Sequence, residues 1–126
     1  MDGKGYRGLD VWHRAMDVSV ALYAFTADLP SEERYRLKSQ MRRSAVSIAS
    51  NIAEGYGRRS TGDYLKFLGY AQGSLAELET QIELAVRVSV AERDSARATW
   101  GLCQETGKML YRLSESLRKT ARRPGR

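Results

Sequence analysis

From Asp10 onward, apolar residues recur along the chain at alternating intervals of three and four, the period of an α-helix with one buried face. Four such stretches follow one another with short polar breaks between them. The first has Asp10 as its N-cap candidate and runs to Leu29–Pro30. It carries two apolar stripes, Val11, Val18, Leu22, Phe25, Leu29 and Trp12, Ala15, Met16, Tyr23. Together they exceed the face a surface helix needs, so this helix is expected to touch two neighbours, with room for one in another subunit. Ser31, with Glu32 and Glu33 behind it, is expected to cap a short turn. The second helix is predicted over Arg34 to Tyr56, with core stripe Leu37, Met41, Ala45, Ile48, Ile52 and polar stripe Arg36, Gln40, Arg43, Ser47, Ser50, Glu54.

The third helix has the plainest pattern. Ser60 and Asp63 form an S-x-x-D capping box, and Tyr64, Leu68, Ala71, Leu75, Leu78, Ile82 and Ala85 follow as a heptad seam. Gly69 and Gly73 lie inside it, and a close helix contact is expected to offset their cost of roughly 1 kcal/mol each. Ser89 and Glu92 read as a second capping box. The fourth helix then places Ala96, Trp100, Cys103, Gly107, Leu110, Leu113 and Leu117 on its seam and frays within "RKTARRPGR". The expected fold is all-α: an antiparallel up-and-down four-helix bundle over residues 10–119, with a flexible segment at 1–9 and a flexible basic tail at 120–126.

The chain has 126 residues and a net charge of +6, unevenly spread. Arg34 to Arg59 holds seven basic residues against Glu54 alone, and Arg118 to Arg126 holds five with no acid. Such segments attract polyanions, or else balance charge between helices. Cys103 and His13 are the only residues of their kinds. One cysteine closes no intramolecular disulfide, no Ser/His/Asp or Cys/His arrangement is read around the one histidine, and it cannot supply the two Glu-x-x-His motifs of a di-iron bundle. The expectation is no enzyme, no metal and no cofactor. His13 and Asp17 share a helix face as an exposed pair, and Cys103 is expected to be packed in the core. No apolar run reaches the roughly 20 residues a membrane helix requires, so a cytoplasmic protein without membrane contact is expected.

The corner "GYGRRSTG" lacks both the dinucleotide and the P-loop patterns. Gly55 or Gly57 is expected to end the second helix, and Ser60 to start the third. Arg58 and Arg59 are expected to face solvent beside that helix start, where an anion could sit. Folding about them sets Arg43 opposite Ser74 and Glu77, with an Arg43–Glu77 ion pair as the structural alternative to a binding role. Glu77, Glu79 and Glu83 are expected to pair with arginines of the second helix. Tyr56, Tyr64, Phe67 and Tyr70 surround the same corner. Phe67 and Tyr70 point partly off the seam, which marks them, with Trp12 and Phe25, for a subunit interface ahead of base stacking.

The stretches "VWHRAMDVSVALYAFTADLP", "SQMRRSAVSIASNIAEGYGRRSTGDYLKFLGYAQGSLAELETQIELA" and "ETGKMLYRLSESL" resemble the bacterial family of 23S rRNA intervening-sequence proteins. That family looks related to the accessory variability proteins of diversity-generating retroelements. The resemblance is strongest from Ser39 to Ala85. It implies a left-handed bundle assembled as a ring of five, and a basic surface that binds RNA or single-stranded DNA, with a reverse transcriptase as a protein partner. Carried to this chain, the surface is Arg42, Arg43, Arg58 and Arg59, joined by Arg118, Lys119, Arg122 and Arg123 of the basic tail. The family's usual S-I-P-S-N reads Ser47 to Asn51 with Ala49 in place of proline, so any kink from that proline is absent. The second functional reading is an oligomeric scaffold for a protein partner without nucleic acid.

Overall fold

The computed structural model describes residues 5–30, 32 and 34–122, and no strand occurs among them. Its four long helices are α1 (Asp10–Ala27), α2 (Ser39–Tyr56), α3 (Thr61–Arg87) and α4 (Arg93–Arg122). A 3₁₀ turn at Gly5–Gly8 precedes α1, and a π-helical turn at Arg34–Lys38 leads into α2. Each helix packs on its neighbour in sequence, and α1 also packs on α4, which makes an antiparallel four-helix bundle. The expected caps at Ser31 and Glu33 lie outside the described residues.

The core follows the stripes. Val11, Val18, Leu22 and Leu29, then Leu37, Met41, Ile48 and Ile52, then Leu68, Leu75, Leu78 and Ile82 are all buried. Each such side chain contributes roughly 1.5–3 kcal/mol. The fourth helix departs from its expected seam. Trp100 is 36% exposed, Gly107 is only partly buried against Leu75, and the buried positions are Ala96, Thr99, Cys103, Thr106, Leu110 and Ser114. Three hydroxyls thus occupy seam positions. A helix can bury a threonine cheaply when the hydroxyl bonds back to the preceding turn, as Thr106 Oγ1 does to the Leu102 carbonyl at 2.7 Å.

The helix ends need several corrections. Asp10 is the first residue of α1, and Leu9 holds the cap position without a side-chain cap bond. The chain enters from the 3₁₀ turn, whose Tyr6 carbonyl accepts from the Leu9 amide. Ser60 does cap α3, accepting from the Asp63 amide at 3.0 Å. Ser89 does not cap α4. It terminates α3 instead, at φ +64°, while the Val90 amide reaches the Ala85 carbonyl and the Ser89 amide reaches Val86. That is a Schellman ending, with serine where glycine is usual.

Gly57 occupies the C-cap position of α2 in a right-handed conformation, so its glycine is not required by φ. Gly55 is a buried residue within the helix, and its role is close approach. A Cβ there would lie 2.8 Å from Phe67 Cβ and 3.2 Å from Tyr64 Cδ1. Gly69 and Gly73, expected to make that contact, have no atom within 4 Å of an added Cβ. Their face of α3 points away from the other helices.

The α2–α3 register also shifts. Ser47 Oγ and Ser74 Oγ are 2.8 Å apart, one turn from the expected pairing, because α3 begins at Thr61 and the corner is centred beyond Arg59. Arg43 accordingly makes no ion pair with Glu77. The other α3 carboxylates turn toward α4. Glu83 accepts from Arg87 at 2.8 Å and from both outer nitrogens of Arg93 at 3.1 Å, and Glu79 accepts from Gln104 at 2.9 Å. His13 and Asp17 do not pair, since His13 Nε2 lies 2.7 Å from the Arg7 carbonyl and Asp17 accepts from Arg14.

Candidate nucleic-acid interface

The basic residues fall into two groups, at opposite ends of α2. At its N-terminal end, Lys38, Ser39, Arg42, Arg43, Val46 and Ser47 line a shallow open depression of about 780 Å³ together with Tyr23 of α1. Arg42 is fixed there by three contacts. Its Nε donates to Thr26 Oγ1 at 2.9 Å, an outer nitrogen donates to the Tyr23 carbonyl at 3.2 Å, and the guanidinium lies 4.1 Å from the centre of the Tyr23 ring. Thr26 is buried and hands its own proton to the Leu22 carbonyl at 2.8 Å. A planar guanidinium held on an aromatic face keeps its charge and loses little further freedom on binding. Arg43 is exposed one residue on. Tyr23 is 45% exposed and Val46 46% exposed, so the floor of the depression is apolar.

Arg58 and Arg59 stand at the far end of α2. Thirteen residues of helix, about 20 Å, separate Arg43 from Tyr56, and Arg58 follows two residues beyond. Both corner arginines are exposed, as expected, but they differ in what they touch. Arg58 donates to Glu54 at 2.9 Å and lies 4.4 Å from the Phe67 ring centre, while Arg59 is exposed. Gln104 on Glu79 and Leu75 against Gly107 set the α3–α4 register, which returns the end of α4 to the level at which α3 begins. Arg118 and Lys119 therefore lie at the corner end, and Arg118 is ion-paired with Glu115 at 2.8 Å. The Arg122 side chain and Arg123 lie outside the described residues.

Charge pairing separates the two groups. Arg36, Arg42, Arg43 and Arg59 form no ion pair among the described residues, whereas Arg58 and Arg118 each hold a carboxylate. Tyr23, Thr26 and Val46 were not singled out as site residues from the sequence. Their signal is the side-by-side placement of α1 and α2, which no spacing within either helix contains. Of the four aromatics marked for a subunit interface, Trp12 stacks edge-on with Tyr6 at 5.2 Å and, like Phe25, packs partly against the bundle's own core. Phe67 sits between Arg58 and Tyr70, and Tyr70 is 49% exposed.

Among the described residues no group of three or more His, Cys, Asp or Glu side chains could hold a metal ion, and no helix is long and apolar enough to cross a membrane. Burial pushes the Cys103 thiol up to about 12, with the Glu79 charge adding to it. That cysteine is buried packing, not a nucleophile.

No curated protein matches the chain. Among solved structures it is similar to a protein of unknown function of the S23 ribosomal protein family from Bacteroides thetaiotaomicron VPI-5482, with 24% identity and a TM-score of 0.77. That match covers 83% of this chain and 95% of the other, and it establishes a shared fold. The family model described as 23S rRNA-intervening sequence protein matches residues 7–112, from the 3₁₀ turn to within the last three turns of α4. Because that model spans most of the sequence, the chain belongs to the 23S rRNA-intervening sequence protein family.

Proposed function

We propose that this protein is a non-enzymatic, cytoplasmic accessory that assembles as a homopentameric ring and binds RNA or single-stranded DNA through repeated basic surfaces. The observation that carries the binding is the N-terminal part of α2 and the turn before it, where Arg42 and Arg43 of the helix and Arg36 of the turn have no carboxylate partner among the described residues. Charges left unpaired on one face are available to phosphates. Assembly is supported by exposed apolar side chains on separate faces, Val20 at 69%, Leu84 at 51% and Tyr70. A ring repeats each basic surface in every subunit, so weak single contacts add. A reverse transcriptase or another protein is the partner class that the family resemblance brings to this reading.

Two measurements test it. Light scattering at micromolar concentration is expected to give five times the 14.2 kDa chain mass, and a monomer mass ends the ring. Anisotropy titration of labelled RNA and single-stranded DNA is expected to show binding that weakens steeply with salt and discriminates little between sequences. Truncation after Leu117 is expected to weaken it, since that tail carries five basic residues. A parent protein that binds neither ligand at low salt leaves the scaffold reading.

A further inference from the structure

We infer that the depression between α1 and α2 is a site for a single strand, with the phosphodiester on Arg42 and Arg43 and an unpaired base laid against Tyr23 and Val46. This rests on the polyanion reading above and adds to it a place and a strandedness.

The place follows from how each cation is already engaged. At the corner, Arg58 is held by Glu54 and covered by Phe67, and Arg118 is held by Glu115. A phosphate arriving at Arg58 or Arg118 competes with a carboxylate already in contact, which leaves Arg59 as the corner arginine without one. At the depression, Arg42 is engaged only by neutral groups, the Thr26 hydroxyl, the Tyr23 carbonyl and the Tyr23 ring. Those contacts fix its orientation without cancelling its charge. Arg43 follows it on the exposed face, and Ser39 lines the same hollow.

The strandedness follows from the floor. A duplex presents phosphates outside and keeps its base faces stacked on one another, so it has nothing to set on an apolar floor. A single strand has free base faces, and stacking on an aromatic ring is the usual way proteins hold them without reading sequence. Tyr23 and Val46, each nearly half exposed beside two arginines, supply that surface.

The experiment compares a short labelled uridine oligomer with a duplex of equal length, in the full chain, with uridine monophosphate and inorganic phosphate as competitors. The oligomer is expected to bind more tightly than the duplex. Arg43→Glu is expected to weaken it by about tenfold or more at low salt. Tyr23→Leu, which keeps apolar bulk but removes the ring that helps orient Arg42, is expected to weaken the oligomer by about five- to a hundredfold and the duplex by much less. The double variant Arg58→Ala, Arg59→Ala is expected to lose less than Arg43→Glu. If the parent binds but the duplex binds as well as the oligomer, or Arg43→Glu and Tyr23→Leu bind like the parent, this site is wrong and the polyanion reading stands. If monophosphate or phosphate displaces the oligomer at equal concentration, the site is a nucleotide or phosphate pocket and the single-strand assignment fails. If the parent binds no nucleic acid at low salt, both fall. Circular dichroism of each variant checks that it folds.

Discussion

Gly55 carries the α2–α3 contact at the resolution of a single methyl group. Adding a Cβ brings it to 2.8 Å from the Phe67 Cβ, a backbone-near atom that cannot swing aside, so Gly55→Ala is expected to cost about 1–3 kcal/mol. Gly69→Ala is expected to do the reverse. Its added methyl meets nothing, and the helix gains about 0.5–1 kcal/mol in backbone entropy. Urea denaturation of the two variants beside the parent checks the opposite signs. Cys103 offers a third test at this scale. With its thiol held near 12 by burial, it is expected to resist alkylation at pH 8 in the folded protein and to react readily in denaturant. The glycines also mark where reading the sequence stopped. Gly55 and Gly57 sit side by side near a helix end and read as caps, and Gly69 and Gly73 read as a contact. Which glycine meets a neighbour depends on how the two helices rotate about their axes, and spacing within one helix does not contain that angle.

At the scale of elements, the core stripes of α1, α2 and α3 were legible from Leu, Ile, Val and Met at helical spacing, although Met16 and Tyr23 of the second α1 stripe prove exposed. The fourth was legible only in part: Ala96, Cys103 and Leu110 are buried and Leu113 and Leu117 pack against the core, but Thr99, Thr106 and Ser114 count as polar in a pattern and are core in the bundle. The Ser89–Glu92 box failed for a similar reason. Its residue types fit a helix start, but a serine with φ +64° is already closing the helix before it. Ser89→Gly is therefore expected to stabilise the protein by about 0.5 kcal/mol, the relief of the left-handed strain less the entropy glycine loses on folding. A small rise in thermal midpoint checks it, and Ser89→Val is expected to lower the midpoint. The candidate site divides in the same way. Arg42 and Arg43 were readable as a basic pair, but the ring and hydroxyl that hold Arg42 come from α1 and were visible only once the helices were side by side.

For the molecule as a whole, acid is the informative stress. Arg93 and then Arg87 hold the Glu83 carboxyl at about 2, well below its ordinary 4.5, through charge-assisted hydrogen bonds. The folded-state value lies below the unfolded one, so the cluster stabilises the fold at neutral pH. That contribution persists down to about pH 4.5 and is lost as the pH falls toward 2. Because the cluster joins the end of α3 to the start of α4, its loss is felt by the connection between two helices. Glu83→Gln is expected to be less stable than the parent at pH 7, with the difference shrinking between about pH 4.5 and 2. Denaturation curves of both proteins across that range check it, and a difference that stays constant argues against the ion cluster.

The hydroxyl-lined seam of α4 bears on how the protein opens. Among the described residues, α4 places Leu110 alone as a large aliphatic side chain in the fully buried core, whereas α2 and α3 each place several. Although Leu102, Met109, Leu113 and Leu117 pack partly against the core, lifting α4 away is expected to cost less than parting α2 from α3. Native-state hydrogen exchange is expected to show two classes of amide. Those of α4 exchange through a partial opening with weak dependence on denaturant, while those of α2 and α3 hold out until global unfolding. In that partly open form the α2–α3 hairpin keeps its shape, and the protein's most labile helix is also the one that ends in its basic tail.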